Sequence, residues 1–262
     1  MNPETIIKIR SDDRQTAALL AEDFINLCAD ILNSREHLNT VFSGGNTPKI
    51  FFEILASEYY DFKNWDRIKF FWADERCVSP DDPESNYGAV KRILFDVLNN
   101  SDTGEAKIPV ENIFMINGVL DPAYEAERYS EILLKEMKII NSFPSPDITL
   151  LGIGDDGHTA SIFPGYYELL ESDKYCAAVK HPESGQYRVT MTGNVLKNSG
   201  CIKFLVTGKS KEKTVSEILL ENGNFEKYPA YYIKPSDGDL IWYLDKAAAG
   251  NLQEIKKRFN LK

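Results

Sequence analysis

A glycine-rich turn with one histidine is the part of the sequence best suited to catalysis. Residues 150–165 read LLGIGDDGHTASIFPG, and residues 152–158, the histidine turn, follow an apolar run. Glycine lets a ligand approach the backbone closely, and histidine exchanges protons near neutral pH. Because loops at strand ends commonly carry chemistry, we predict that His158 acts as a base. A structural histidine in a tight turn is the alternative.

The histidine turn also has the spacing of a dinucleotide-binding fingerprint, with glycines at 152, 154 and 157. In that motif a pyrophosphate lies over bare amides at a helix N-terminus. Here Asp155 and Asp156 place two carboxylates in the turn, and Pro164 and Gly165 leave little room for the long helix that should follow. The sequence therefore argues against nicotinamide binding.

A second candidate site is a loop of small polar residues after the predicted strand Leu38–Phe42, ahead of a helix that has Pro48 in its first turn. Backbone amides, hydroxyls and the positive end of a helix can bind a phosphate together. The Walker A spacing is absent, and a tight turn with an Asn or Thr cap explains the residues equally well. The candidate ligands of this polar loop are Ser43, Gly44, Gly45, Asn46 and Thr47.

Charged residues at other strand ends complete the candidates. Arginine can hold an oxyanion through paired hydrogen bonds, whereas structural ion pairs and surface charges are the ordinary alternatives. Cations are informative here because the chain carries a net charge of −10. The residues in question are Asp74, Arg76, Arg188 and Lys209.

Composition and charge exclude several classes of protein. The acidic balance and the lack of a dense basic cluster argue against a nucleic-acid partner. We find neither an apolar run of membrane-spanning length nor a signal peptide, so we expect no membrane association and a cytoplasmic location. The cysteines lie far apart without a C-x-x-C pair, which argues against a zinc site or a disulfide framework. They are Cys28, Cys77, Cys176 and Cys201.

Short β-type runs alternate with helical segments, and no linker or repeat divides the chain, so we predict a single domain over residues 1–262. The alternation predicts an α/β fold, a doubly wound, mostly parallel sheet with helices on both faces. Predicted strands are Ile6–Ile9, Leu38–Phe42, Ile68–Trp72, Ile113–Ile116, Ile148–Ile153, Ala177–Lys180, Arg188–Thr192, Ile202–Thr207 and Leu240–Leu244. Predicted helices are Asp12–Asn33, Pro48–Glu58, Tyr87–Leu98, Pro122–Ile140 (with Asp121 as N-cap) and Lys211–Glu221.

Blocks in a fixed order resemble the 6-phosphogluconolactonase family: FSGGNTPK, FWADERCV with SNY downstream, GIGDDGHTASIFPG, RVTMT and VTGKSK. The segments YPA and WYLDKAA near the end are also similar, so the resemblance spans nearly the whole chain. One departure is Asn46, where a serine or threonine is expected. The resemblance implies a sugar-phosphate isomerase-like fold with Rossmann-type layering. It also implies hydrolysis of 6-phospho-D-glucono-1,5-lactone, the second step of the oxidative pentose phosphate pathway, without a metal or other cofactor.

The resemblance also implies residue roles. Neutral His158 would accept a proton from water and later protonate the ring oxygen, and Asp156 would orient the imidazole. Arg76 would face the lactone end, and Asp74 would lie near the reacting centre. The 6-phosphate would bind to Ser43, Gly44, Gly45, Asn46, Thr47, Arg188 and Lys209.

The remaining expectations concern partners and mobile segments. The partner is a small-molecule substrate, and the oligomeric state is expected to be a monomer or a weak dimer. Segments 78–85 and 182–187 are loop-like and could close over the substrate. His37 and His181 are interpreted as structural or exposed.

Two alternatives stay open. Glucosamine-6-phosphate deaminases of the same superfamily typically continue from Asp-Gly-His into a segment that supplies a carboxylate, and residues 159–164 here, TASIFP, supply none. A sugar-phosphate-binding regulator would need a DNA-binding module, for which the residues before Leu38 leave no room. The catalytic alternative is therefore the deaminase, and the non-catalytic one is a sugar-phosphate-binding domain.

Overall fold

The computed structural model describes residues 5–100, 107–250 and 252–259. Its strands, in chain order, are β1 Thr5–Arg10, β2 Leu38–Phe42, β3 Ile68–Trp72, β4 Asp74–Arg76, β5 Ile113–Phe114, β6 Lys138–Ile140, β7 Phe143–Ser145, β8 Ile148–Leu151, β9 Cys176–Lys180, β10 Tyr187–Met191, β11 Cys201–Val206 and β12 Asp239–Asp245. Seven of them form a central sheet in the order β1-β12-β11-β8-β2-β3-β5. Every neighbouring pair in that sheet is parallel.

Helices connect and cover the strands. They are α1 Asp13–Leu32, α2 Asn46–Glu58, α3 Asn86–Val90, α4 Asp96–Asn99, α5 Pro122–Glu136, α6 Gly193–Lys197, α7 Glu212–Leu220, α8 Pro229–Tyr232, α9 Lys246–Ala249 and α10 Leu252–Arg258. A π-helical turn, Lys91–Phe95, joins α3 to α4, so the predicted helix at 87–98 is observed with a local change of pitch. Short 3-10 turns lie at Trp65–Arg67, Val110–Asn112, Tyr167–Leu170, Lys209–Lys211 and Phe225–Lys227.

The central strands are buried on both faces, as the predicted doubly wound fold requires. All residues of β2, β8 and β11 are buried, which requires cover on both faces of the sheet. Helices α1 and α2 supply part of that cover through edge-on aromatic contacts among Phe24, Phe42 and Phe51. The predicted fold class is confirmed.

The order of the strands places one crevice at the centre of the sheet. From β2 the chain builds outward through β3 to β5, then returns to lay β8 against the other side of β2 and continues outward through β11 and β12. The direction of winding therefore reverses between β2 and β8, which pair through Thr40 with Ile148 and Val41 with Thr149. Ligands of such sheets bind at this reversal, outside the carboxyl ends of the strands.

A second, antiparallel sheet lies beside the first, in the order β4-β10-β9. The two predicted strands at 177–180 and 188–192 belong to it rather than to the parallel sheet. The third strand, β4, was not expected from the sequence because it is three residues long and charged. Its register sets Arg76 opposite Arg188 and Asp74 opposite Thr190.

The predicted helix Pro122–Ile140 is too long, because α5 ends at Glu136. Met137 is already extended, with φ −110° and ψ 154°, and Lys138–Ile140 pairs with Phe143–Ser145 as a hairpin. Asn141 and Ser142 turn the hairpin with φ of 49° and 70°, the positive values that two-residue hairpin turns require. At the other end, the Asp121 side chain caps α5 as predicted, accepting from the backbone amides of Ala123 and Tyr124.

Candidate active site

A cavity of about 370 Å³ opens where the winding of the sheet reverses. The polar loop after β2 and the histidine turn after β8 both line it, and residues of β4, β10, β11 and the segment after β11 complete the lining. Most of the residues singled out from the sequence line this one space. They are Ser43, Gly44, Gly45, Asn46, Thr47, Asp74, Arg76, His158 and Arg188.

The polar loop presents an open helix N-terminus to the cavity. Gly45 is the N-cap of α2, with φ 112°, and no side chain caps the first turn. The first amides of a helix have no partner within the helix, and their positive end favours an anion. Ser43 adds a buried hydroxyl that has no hydrogen-bond partner among the described residues. The Thr207 hydroxyl donates to the Thr47 hydroxyl oxygen at 3.4 Å.

Asn86 ties the polar loop to strand β4. Its side-chain amide donates to the carbonyl oxygen of Asp74 at 2.9 Å. A methyl group added at Gly44 would lie 1.7 Å from the Asn86 side-chain oxygen. Gly44 is therefore required by this close approach, and Asn86 itself lines the cavity.

His158 and Asp156 form a hydrogen-bonded pair within the histidine turn. The distance from His158 Nδ1 to Asp156 Oδ1 is 2.6 Å, and the same oxygen accepts the His158 backbone amide at 3.1 Å. Burial opposes ionisation of Asp156, but the hydrogen bonds from His158 act in the other direction, and the pKa of this carboxyl lies below its usual value. An ionised Asp156 accepts from Nδ1–H, which leaves Nε2 with a free lone pair.

The turn is folded tightly around this pair. The Gly154 amide donates to the His158 carbonyl oxygen at 2.9 Å, and a methyl group at Gly154 would lie 2.1 Å from His158 Nδ1. Gly157 has φ 82°, and a methyl group there would enter the ring of Tyr228. Both glycines are needed for the imidazole to hold this position.

Asp74 and Arg188 form a buried ionic wall next to the histidine. Asp74 accepts from Ser161 Oγ at 2.6 Å and lies 3.9 Å from the guanidinium of Arg188. Burial lowers the pKa of Arg188 below its usual value, and Asp74 opposes that effect. The ring of Phe163 packs against both Arg188 and His158, with 5.6 Å from its centroid to the guanidinium carbon and 4.8 Å to the imidazole centroid.

Arg76 enters the cavity beside Arg188 from the opposite strand. Its Nη1 donates to the Glu84 carbonyl oxygen at 2.6 Å. The Nε atoms of Arg76 and Arg188 are buried without a hydrogen-bond partner in the described part of the chain. Two guanidinium groups on facing strands repel each other, so their common position favours an anionic ligand between or beside them.

The structure does not bring Lys209 to the cavity. Its side chain is 75% exposed and pairs with Glu212 at 2.6 Å. Lys211 lines the cavity instead, with its side chain 19% exposed and its ammonium group 2.6 Å from Asp155. The 3-10 turn at Lys209–Lys211 is the reason, because it places residues two positions apart on different sides.

Sequence reasoning therefore missed Asn86, Lys211 and Ser161 as residues of the site. All three stood within blocks that carried the family resemblance, Lys211 two residues after the lysine that was chosen. Asp156 lies outside the cavity lining and reaches the site through His158. The two predicted mobile segments contact each other, since Gln186 Nε2 donates to the Glu84 carboxylate at 3.0 Å.

Within the ranges that the structure covers, no group of three or more His, Cys, Asp and Glu side chains is arranged to hold a metal ion. Over the same ranges, no helix combines the length and the apolar character needed to cross a membrane.

The chain is similar in sequence and in structure to known proteins. The family model described as "Glucosamine-6-phosphate isomerases/6-phosphogluconolactonase" matches residues 11–242. The 6-phosphogluconolactonase of Haemophilus influenzae is 40% identical over 218 residues, which are 83% of this chain and 88% of that protein. Among solved structures, a protein named devB superposes with a TM-score of 0.85 at 36% identity, covering 95% of this chain and 99% of the other. The 6-phosphogluconolactonase of Trypanosoma brucei superposes with a TM-score of 0.83 at 25% identity, with the same coverage.

Proposed function

The chain belongs to the glucosamine-6-phosphate isomerase/6-phosphogluconolactonase family, and from this premise we propose that it hydrolyses 6-phospho-D-glucono-1,5-lactone to 6-phospho-D-gluconate. The observation that carries the proposal is His158, on the wall of a cavity that also holds an uncapped helix N-terminus, with its Nδ1 held 2.6 Å from Asp156. One side of the cavity thus moves protons, and the other binds an anion. A phosphorylated lactone needs both.

His158 acts as the general base. Asp156 holds Nδ1–H, so Nε2 accepts a proton from a water molecule whose oxygen attacks the lactone carbonyl carbon. The carbonyl oxygen gains negative charge in this step. Collapse of the tetrahedral intermediate breaks the bond to the ring oxygen, which takes the proton back from Nε2. No covalent enzyme intermediate is required, because a lactone is already electrophilic.

Charge stabilisation at the lactone end is assigned to Arg76. A guanidinium group aimed at the developing oxyanion lowers the barrier most when water is excluded. Asp74, buried and held by Ser161, orients Arg188 across the strand pair. In this arrangement Arg76 contacts the lactone carbonyl, and Arg188 lies toward the phosphate.

The 6-phosphate binds at the polar loop. The amides of residues 45–47 and the hydroxyls of Ser43 and Thr47 surround the α2 N-terminus, and Lys211 supplies a cation from the other wall. Lys211 takes the role that the sequence had suggested for Lys209. All of these groups come from one chain, so the proposal requires no second subunit, in keeping with a monomer or weak dimer.

The cellular setting follows from the same chemistry. The cysteines of the described chain are free thiols, as expected in a reducing compartment. A phosphorylated sugar lactone is a metabolic intermediate, and we place the activity in the cytoplasm as part of the proposal.

The test is hydrolysis of freshly generated lactone, corrected for spontaneous opening, by the wild type, His158→Ala and Arg188→Ala. We expect the histidine variant to lose roughly 100-fold or more in kcat and the arginine variant to show mainly a raised KM. Absence of acceleration by the wild type would overturn the lactonase assignment. Glucosamine 6-phosphate would then be the next substrate to assay, since the same family includes isomerases.

A further inference from the structure

Glu75 is a buried carboxylate for which the proposed mechanism has no use. Successive side chains of a strand point to opposite faces, so β4 sends Asp74 and Arg76 into the cavity and Glu75 away from it. Glu75 is 2% exposed and does not line the cavity. A charge in such a place needs partners to offset its lost hydration.

The partners of Glu75 are four hydrogen-bond donors. One carboxylate oxygen accepts the backbone amides of Arg76 and Asn86, each at 2.8 Å. The other accepts the Tyr87 amide at 2.8 Å and Ser85 Oγ at 3.0 Å. All four donors are neutral. Three of them belong to residues 85–87, the start of α3, so the carboxylate joins that segment to β4.

Residues 85–87 include Asn86, whose side chain contacts two residues that line the cavity. The Asn86 side chain donates to the Asp74 carbonyl oxygen and packs directly against Gly44 of the polar loop. A shift of this segment would therefore move the boundary between the phosphate end and the lactone end of the cavity. Glu75 is the only side chain described here that bonds to all three residues of the segment.

Resting on the lactonase function proposed above, we propose that Glu75 is a positioning residue whose ionised carboxylate fastens residues 85–87 to β4 and fixes Asn86 between Asp74 and Gly44. Protonation would turn one acceptor into a donor. That O–H would face N–H and O–H donors, and at least one of the four bonds would be lost or reversed. The ionised form is thus the one that holds the segment in place.

The surroundings of Glu75 make this protonation accessible. Burial raises the pKa of Glu75 to about 6, although the four hydrogen bonds act in the opposite direction. Charged and titratable groups around it come from β4, the chain that follows it, α3 and β10. They are Asp74, Arg76, Cys77, Glu84, Tyr87 and Arg188. Glu75 therefore titrates near pH 6, inside the range over which the reaction can be followed.

The experiment compares pH profiles of kcat/KM for the wild type and Glu75→Gln between about pH 5 and pH 8. We expect Glu75→Gln to lower kcat/KM at the alkaline end by roughly 10- to 100-fold. We also expect its acid limb to be shallower by one proton, because one titrating group is gone. A purely structural role would lower the melting temperature and leave the steepness of the limb unchanged, and that result would overturn the inference.

Glu125→Gln is the matched control. Glu125 is also fully buried, and it accepts the Asn117 amide and two bonds from Arg128 without lining the cavity. Its variant should lose thermal stability while keeping the kcat/KM and the acid limb of the wild type.

Ser85→Ala covers the case in which Glu75→Gln does not fold. It removes one of the four donors and leaves the carboxylate, so the acid limb should move to higher pH. An unmoved limb would count against the proposal. A wild type that fails to accelerate lactone hydrolysis would instead refute the function itself, so the two failures are distinguishable.

Discussion

At the scale of single residues, the function proposed above separates proton transfer from anion binding. Asp156 lies outside the cavity lining and acts only through the imidazole, whereas Lys211 lies inside it and is held by Asp155. The hydrogen bond from Lys211 lowers the pKa of Asp155 below its usual value. Under the proposed function, these two neighbouring acids serve different ends of the substrate.

Asp156→Asn should lower kcat with little change in KM. The amide can present its NH2 group to Nδ1, which favours the tautomer with the proton on Nε2 and removes the base, at a cost of roughly 100-fold or more. Steady-state hydrolysis measures this directly. Asp155→Asn, one residue away, is the control and should change KM alone; equal losses of kcat in both variants would contradict the separation of roles.

Lys211→Ala should raise KM by roughly 10-fold, since a charged hydrogen bond is lost, while Lys209→Ala should leave both constants unchanged. The physical difference is that Lys211 borders the cavity and Lys209 points to solvent. Titration of initial rates with substrate compares the pair. A raised KM in the Lys209 variant alone would restore the assignment made from the sequence.

The sequence allowed us to predict the site residues that lie at the ends of strands. It did not allow us to predict those that lie in irregular segments. His158, Arg188 and the polar loop follow or open strands, and their common position follows from parallel pairing. The choice between Lys209 and Lys211 depends on a 3-10 turn that no periodicity reveals. Asn86 reaches the site through the chain's return toward β4, a non-local contact.

At the scale of elements, tight turns rather than strands set the precision of the site. The histidine turn encloses its own imidazole so closely that a side chain at Gly154 would meet both His158 and Asp156. The β4–β10 pair fixes the two arginines by register. Such elements are short, and their stability comes from packing against larger ones.

Gly154→Ala should abolish most activity while the protein stays folded. The added methyl group would lie 2.1 Å from His158 Nδ1, so the imidazole must move away from Asp156. The observable is kcat, together with far-UV circular dichroism to establish folding. Gly165→Ala is the control, because Gly165 has φ 97° but nothing within 4 Å of the added methyl group. It should show a modest loss of stability of about 1 kcal/mol and normal kcat.

The sequence predicted the long helices better than the short strands and the ends of elements. Amphipathic periodicity located the long helices, and Asp121 marked the start of α5 correctly. The end of that helix was wrong because Ile139 and Ile140 continue an apolar pattern yet prefer a strand, and Asn141 and Ser142 provide the turn. Strand β4 was not predicted, because its three consecutive charged residues lack the alternation of polar and apolar side chains that marks a strand.

At the scale of the whole molecule, burial controls the chemistry of the cysteine thiols. Burial raises the pKa of all four thiols, to about 11 for Cys77 and about 12 for Cys176. The thiols lie in different parts of the fold, and three of them are fully enclosed. They therefore report on the integrity of the molecule as a unit.

Thiol labelling near neutral pH should be slow in the native protein at all four cysteines, because only the thiolate reacts, and the three buried thiols should become reactive together on unfolding. Mass spectrometry of alkylated protein across a denaturant series measures it. Cys77, which is partly exposed, should be modified first. A buried cysteine modified before the global transition would indicate local opening and would contradict the expectation.

Stability should also depend on the ionisation of Glu75. Its folded-state pKa is raised from 4.5 to about 6, so the native state binds more protons than the unfolded state between these values. The free energy of unfolding therefore falls as pH rises through this window, by about 2 kcal/mol from this group. Denaturant titrations give the free energy of unfolding of the wild type and of Glu75→Gln at both ends of the window. Between the two pH values this free energy should fall by about 2 kcal/mol more in the wild type than in the variant. An equal change in both proteins would contradict the shifted pKa.

The pairing of the first strand with the last one in the sheet has a consequence for synthesis on the ribosome. Strand β1 is bound at its edge only by β12, with Thr5 paired to Leu240 and Arg10 to Asp245. A nascent chain emitted in order holds β1 without its partner until residues 239–245 leave the exit tunnel. The histidine turn and the polar loop are translated well before that point. We expect the half of the sheet around β2 and β8 to form first and the seam between β1 and β12 to close last, so that chains arrested before residue 239 expose β1 to chaperones.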